Sequence, residues 1–387
     1  MHTKNHLFIY FYEVIFLWKK TTAVILSIVL LLPVRAYALS AHCAVLIDAQ
    51  MGRVIYEHNA YEKGAPASTT KIMTALVALE KGKLDKMIKV SRKAANVEGS
   101  SIWLAEGEKM SLKNLLYGLM LSSGNDAATA IAESVGGSEK KFVALMNKKV
   151  KEMGLKNTHF DNPHGLSSDE HYTTAYELAL IAREALKNPM FANIVSTKKQ
   201  TIPWDGHTYS RSLTNHNKLL NMYEGADGVK TGFTKASGRT LVSSATRDGV
   251  QLIAVTLNAP DDWNDHKFLL DYGFERYKSK IITPIGETVR SITVENGLKQ
   301  AVNAVTNKDL IAVVAEGDIS KIKVKYTGLP TSVKAPVRKG TVLGKAVMYY
   351  DGKEIESADI VAFESVGNRP PETLWEKIIS FFKGLFS

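Results

Sequence analysis

The sequence contains a single cysteine, Cys43, in 387 residues. No disulfide can form within the chain, so a noncovalent core must hold the fold. In "LSAHC", His42 stands where a lipoprotein signal needs a small residue, so Cys43 reads as an inert packing residue. Runs of five or six like charges are also missing, although the net charge is +10. Lysines and acids are interspersed, which describes a solvated basic surface; nucleic acid is the weaker alternative and is not expected as a partner. His164, His216 and His266 lack H-E-x-x-H or other metal spacing. No Gly-rich phosphate loop and no G-x-S-x-G elbow occur. We therefore expect no metal and no cofactor, and no Ser-His-Asp chemistry. Hydrophobic residues at 45% and charged residues at 23% fit a globular chain with a sizeable core, and the length allows two domains plus targeting segments.

The N-terminus reads as a secretory signal. "WKK" at Trp18–Lys20 precedes the apolar run "TTAVILSIVLLLPV", and Ala36 and Ala38 offer small residues for cleavage after Ala38. A membrane-spanning helix is the competing reading, for which the run is short. The expectation is residues 1–38 as signal peptide and an exported mature chain.

The mature chain opens with "CAVLIDAQMGRVIYEHN", two alternating runs about a turn at Gln50–Gly52, a β-hairpin. From Ser68 to Glu80 the spacing becomes helical, with Ile72, Ala75, Leu76 and Leu79 on one face. Helices are predicted at "SLKNLLYGLML" and "DAATAIAESVGG", on either side of "SSGN". Two more are predicted at "SEKKFVALMNKKVKEMG", capped by Ser138, and "TTAYELALIAREAL". After Asp227 the period turns to two in "GVKTGFT", "RTLVSSAT" and "VQLIAVTLN". Helices in the middle with strands at both ends imply an α/β sandwich over residues 39–280, whose sheet pairs N- and C-terminal strands. Val, Ile, Thr and Lys then alternate in short runs, with turns at Asn296-Gly297 and Asp351-Gly352, a small all-β domain over 281–366.

Residues 367–387 read as a Pro-Pro linker and a terminal helix, "TLWEKIISFFKGLFS". Eight apolar positions of that helix fall within an arc of about 160°. Such a helix fits an anchor on the membrane surface, or else a docking helix for the protein's own core or a partner.

Three short motifs carry the chemistry: Ser68-Thr69-Thr70-Lys71, Ser123-Gly124-Asn125 and Lys230-Thr231-Gly232. S-x-x-K alone is weak, since it recurs at Ser138/Lys141, Ser196/Lys199, Ser320/Lys323 and Ser380/Lys383. S-x-N and K-T-G each occur once, and their order and contexts are those of a serine hydrolase of the penicillin-interactive type. A serine hydroxyl needs a base, and positions i and i+3 of a helix share a face, so Lys71 can reach Ser68. For Lys71 to be a base at pH 7 its pKa must fall by about three units, worth about 4 kcal/mol. Burial and a second cation push that way, and Lys230 is the candidate cation. Lys230 and Thr231 can bind a carboxylate, Asn125 a substrate amide, and Ser123 can relay a proton.

With these motifs in view, the sequence resembles the serine-type D-alanyl-D-alanine carboxypeptidases, the low-molecular-mass penicillin-binding proteins. "LIDAQMGRVIYEHNA", "PASTTKIMTALVALE", "SSGNDAATAIAE", "NPHGL", "GADGVKTGFT" and "LVSSATRDG" resemble family segments in the same order. The resemblance implies a β-lactamase/DD-peptidase-like α/β catalytic domain, an antiparallel sheet flanked by helices, plus the small all-β domain and the amphipathic terminal helix. It implies Ser68 as nucleophile, Lys71 as base, Ser123 and Asn125 in the second element, and Lys230, Thr231 and Gly232 lining substrate. The N–H groups of Ser68 and Phe233 would form an oxyanion hole. The implied substrates are peptidoglycan stem peptides, with β-lactam antibiotics as mimics. The implied place is the outer face of the cytoplasmic membrane.

The sequence departs from the family where some members place arginines near the substrate carboxylate. "NHNKLL" offers His216 and Lys218, and "NAPDDWNDHKF" offers no arginine. Carboxylate recognition is therefore expected from Lys230, Thr231 and His216. A β-lactamase, a D,D-endopeptidase and a catalytically silent wall-binding module are the alternative readings. The extra β domain and the lack of a deacylation element E-x-x-x-N argue against the first, and intact Ser68 and Lys71 against the last.

Overall fold

The computed structural model describes residues 38–371 together with Trp375, Ile378 and Ile379. The expected signal segment, apart from Ala38, and most of the expected terminal helix lie outside the described residues.

Between residues 43 and 276 strands and helices are interleaved. The strands are β1 Cys43–Asp48, β2 Val54–His58, β3 Met87–Lys89, β4 Lys109–Ser111, β5 Lys199–Ile202, β6 Arg211–Thr214, β7 Ala226–Thr234, β8 Gly238–Arg247 and β9 Val250–Leu257. The helices are α1 Lys71–Lys81, α2 Arg92–Ala95, α3 Leu112–Leu121, α4 Asn125–Gly136, α5 Glu139–Glu152, α6 Ala175–Leu186, α7 Pro189–Ser196, α8 Leu219–Met222 and α9 Asp262–Arg276.

The main sheet is antiparallel in the order β2-β1-β9-β8-β7, so the N-terminal hairpin pairs with C-terminal strands, as the sandwich reading expects. Successive side chains on a strand point to opposite faces. Val45, Ile47, Ile253 and Val255 join the large helical core, whereas Leu46 and Leu252 meet α9 at Gly273. Both faces are covered, which is why β1 is buried at every position. Helix α9 has no counterpart among the elements expected from spacing, because its sequence is polar on average and its apolar period is weak.

Ser68 does not cap a helix. It sits in a 3-10 turn, Ala67–Thr70, and α1 begins at Lys71. The helix is buried on all sides from Lys71 to Ala78, not on one face. A helix apolar all round belongs in a core, and α1 packs against α3, α4, α5 and α6. Elsewhere local signals hold: Ser138 accepts from the Lys141 N–H at the start of α5, and Asp248 and Gly249 take positive φ in the β8–β9 turn.

The second half is all-β. Its strands are β10 Tyr277–Thr283, β11 Thr288–Glu295, β12 Ala301–Thr306, β13 Leu310–Ala315, β14 Ile322–Thr327, β15 Ser332–Lys334, β16 Val342–Tyr350 and β17 Lys353–Ala362. Six form a sheet in the order β14-β16-β17-β12-β11-β15, and β10 pairs with β13. The joint to the first half is polar and specific. The Gln50 side chain donates to the Ile311 carbonyl (2.5 Å) and accepts from the Val313 N–H (2.9 Å). Arg53 lies between the rings of Tyr277 and Tyr350, at 4.7 and 4.8 Å.

Candidate active site

The turn carrying Ser68 is shaped by two glycines from distant segments. A side chain on Gly165 (φ +95°) would lie 1.9 Å from the Ala67 carbonyl oxygen, and one on Gly232 would lie 3.0 Å from the Ser68 nitrogen. The "NPHGL" loop and strand β7 thus close on the turn from two sides, and Ala67 itself takes φ +49°. Positive φ in a non-glycine residue is uncommon and recurs here at Ser123 (+61°) and Trp103 (+61°).

The three sequence motifs converge. Lys71 Nζ is 3.0 Å from Ser68 Oγ, 2.7 Å from Asn125 Oδ1 and 2.6 Å from the His164 carbonyl oxygen. Lys71 is fully buried, and its pKa lies well below the ordinary lysine value. Burial is the main cause and the nearby Lys230 charge the second, while Asp126 opposes them. Lys230 is buried too, and burial pushes it down to about 7; its Nζ donates to the Thr231 carbonyl (2.8 Å).

Asn125 and Asp126 begin α4 and organise the loop before it. Asn125 Nδ2 donates to the Glu98 carbonyl, and the buried Asp126 carboxylate accepts from the Ile102 and Leu104 N–H groups and from Ser101 Oγ. Ser123 is buried, and it lines with Ser68, Thr231, Gly232, Phe233 and His216 a cleft of about 340 Å³. Phe233 is exposed there, and His216 is pushed below the usual histidine range by burial and then by Lys230.

Sequence reasoning missed Arg239, at the start of β8, and Trp263 and Asp262 in α9, all of which line the same cleft. Arg239 donates to Asp262 Oδ1 through Nε (3.0 Å) and a terminal nitrogen (2.9 Å). The register Phe233↔Arg239 puts this cation one strand in from the K-T-G edge. A search for arginine along one stretch of sequence cannot reveal a pairing made across strands. His266 has a structural place, buried between Ser243 (2.5 Å) and Thr256 (2.9 Å). Two other S-x-x-K serines serve locally: Ser138 caps α5, and Ser196 Oγ donates to the Asn193 carbonyl.

A serine turn with a buried lysine in reach, an S-x-N loop and a K-T-G strand at the sheet edge define a penicillin-interactive serine hydrolase. Comparison with known proteins gives the family. Residues 32–261 match the D-alanyl-D-alanine carboxypeptidase family, and residues 277–368 match the penicillin-binding protein 5 C-terminal domain. The chain is 37% identical over 335 residues to D-alanyl-D-alanine carboxypeptidase DacF of Bacillus subtilis, covering 84% of this chain and 86% of the relative. Penicillin-binding protein 5 of Haemophilus influenzae is similar in structure, with TM-score 0.62 and 31% identity over 87% of this chain and all of that one. Penicillin-binding protein 3 of Streptococcus pneumoniae gives TM-score 0.71 at 27% identity, covering 85% and 100%. The chain belongs to the D-alanyl-D-alanine carboxypeptidase family.

Proposed function

We propose that this enzyme removes the terminal D-alanine from peptidoglycan pentapeptide stems through an acyl-enzyme on Ser68. The observation that carries the reading is the environment of Lys71. A neutral amine has two N–H groups and one lone pair. Asn125 Oδ1 and the His164 carbonyl can only accept, so they take both hydrogens, and the lone pair is left for the Ser68 hydroxyl. Burial and the Lys230 charge both favour that neutral form.

Ser68 Oγ attacks the carbonyl carbon of the D-Ala-D-Ala bond while its proton passes to Lys71. The tetrahedral oxyanion is held by the N–H groups of Ser68 and Phe233. Ser123 relays a proton to the leaving amine, and free D-alanine departs. Water then hydrolyses the ester and restores Ser68. Lys230, Thr231 and His216 face the substrate carboxylate, with Arg239 a further cation in the same cleft. Gly232 lets the substrate backbone run beside the edge strand, and Asn125 orients its amide. A β-lactam carbonyl acylates Ser68 in the same way.

The finer placement is also a proposal: the leader exports the chain, and the terminal helix rests on the outer face of the cytoplasmic membrane. The helical residues Trp375, Ile378 and Ile379 are exposed, which supports an anchor of this kind. No helix among the described residues is long and apolar enough to cross a membrane. The test of the activity is D-alanine release from a diacylated peptide ending in D-Ala-D-Ala. Release that persists undiminished in Ser68→Ala would overturn the reading.

A further inference from the structure

A second groove, of about 460 Å³, continues from the catalytic cleft, sharing Ser100 and His216 with it. Strand β6 forms one wall and Trp103, 76% exposed, stands on the other. The loop joining β5 to β6 carries an aromatic cluster with no core to fill. Trp204, His207 and Tyr209 have ring centroids 4.7 to 5.5 Å apart, and His207 and Tyr209 are exposed.

The cluster is fixed to the body of the protein. Arg211 stacks on Trp204 (4.3 Å), donates to the Trp103 carbonyl (3.0 Å) and pairs with the buried Glu108 (3.0 Å). The Asp205 carboxylate accepts from the Lys109 N–H (3.0 Å). Arg211 is 5% exposed, lines the groove, and leaves its Nε without a partner among the described residues.

We propose that this groove and its aromatic rim bind the glycan strand of peptidoglycan, the N-acetylated sugar chain from which the stem peptide hangs. The inference rests on the peptidoglycan reading above. Rigid aromatic rings with a polar edge suit a ligand that is apolar on its ring faces and polar around its rim. The hydroxyls of Ser122, Ser212 and Thr214 along the groove suit acetamido and hydroxyl groups. Lengths agree as well. Four stem residues between the scissile bond and the sugar span about 13–14 Å when extended. The seven steps from His216 to Tyr209 span at most about 23 Å, so a stem running along β6 brings its sugar to within about 10 Å of the rings, a gap the continuing glycan strand can span.

Tyr209→Ala in the full chain tests this, because the ring is exposed and supports no core; Tyr209→Phe is the conservative control. Calorimetry with a peptide-free oligomer of alternating N-acetylglucosamine and N-acetylmuramic acid should show binding that weakens about three- to tenfold in Tyr209→Ala and survives in Tyr209→Phe. kcat/KM for a glycan-linked pentapeptide should fall by a similar factor, while that for the free pentapeptide stays unchanged. Absence of sugar binding by the unmodified chain, or equal sugar binding by Tyr209→Ala, overturns the proposal. So does a Tyr209-dependent affinity for anionic phospholipid vesicles in place of the sugar. Calorimetry needs no turnover, so a failure to release D-alanine would count against the hydrolase reading alone.

Discussion

Replacing Lys230 by methionine should make the protein more stable at neutral pH while removing its activity. Lys230 is 1% exposed, and burial brings its pKa from 10.5 to about 7. At about 1.36 kcal/mol per pH unit, that difference costs the folded state roughly 4–5 kcal/mol at pH 7. The sign follows from proton counting. Between about pH 7 and 10.5 the unfolded chain carries a proton on Lys230 that the folded chain lacks, so stability rises with pH across this window. Methionine avoids the cost but leaves the Thr231 carbonyl without its donor, worth about 1–3 kcal/mol. The net gain at pH 7 is about 1–4 kcal/mol, a rise in melting temperature of about 2–8 °C for a domain of this size. At pH 9 the avoided cost has shrunk to about 2 kcal/mol, and the variant and the parent should melt close together. Thermal melts of both at pH 7 and pH 9 are the assay. A variant that melts lower at pH 7, or a difference that does not change with pH, refutes the reasoning.

Other outcomes follow from the same geometry. Ser68→Ala should lower kcat by a factor of order 10⁶, measured as D-alanine release. Gly165→Ala should abolish acylation by a labelled penicillin, since its methyl group would meet the Ala67 carbonyl at 1.9 Å. Arg239→Gln should raise KM about two- to fivefold with kcat little changed, the size of one partly solvated charge contact. Deleting Thr373–Ser387 should move the protein from the membrane to the soluble fraction with full activity on free peptide.

Much of this was legible in the sequence, because period and motif order are local or one-dimensional. The hairpin about Gln50–Gly52, the helices around Ser123-Gly124-Asn125 and the strands after Asp227 follow from side-chain spacing. The geometry at Ser68 did not, because its turn is set by Gly165 and Gly232, far away in the chain. The acceptors on Lys71 were half visible: Asn125 belongs to a motif, but the other is a backbone carbonyl at His164, which any residue could supply. Arg239 escaped because its place in the cleft depends on strand pairing and on Asp262. The single-faced reading of α1 failed because alanine and threonine blur the period of a helix buried on every side.

The central claim is that Ser68, activated by a neutral Lys71, is the group acylated. Mass spectrometry of the penicillin-labelled protein, after proteolysis, tests it most directly. The account predicts one adduct, on the peptide containing Ser68, lost in Ser68→Ala and retained when Ser138, Ser196, Ser320 or Ser380 is replaced. An adduct on another serine, or none from an enzyme that still releases D-alanine, would contradict it.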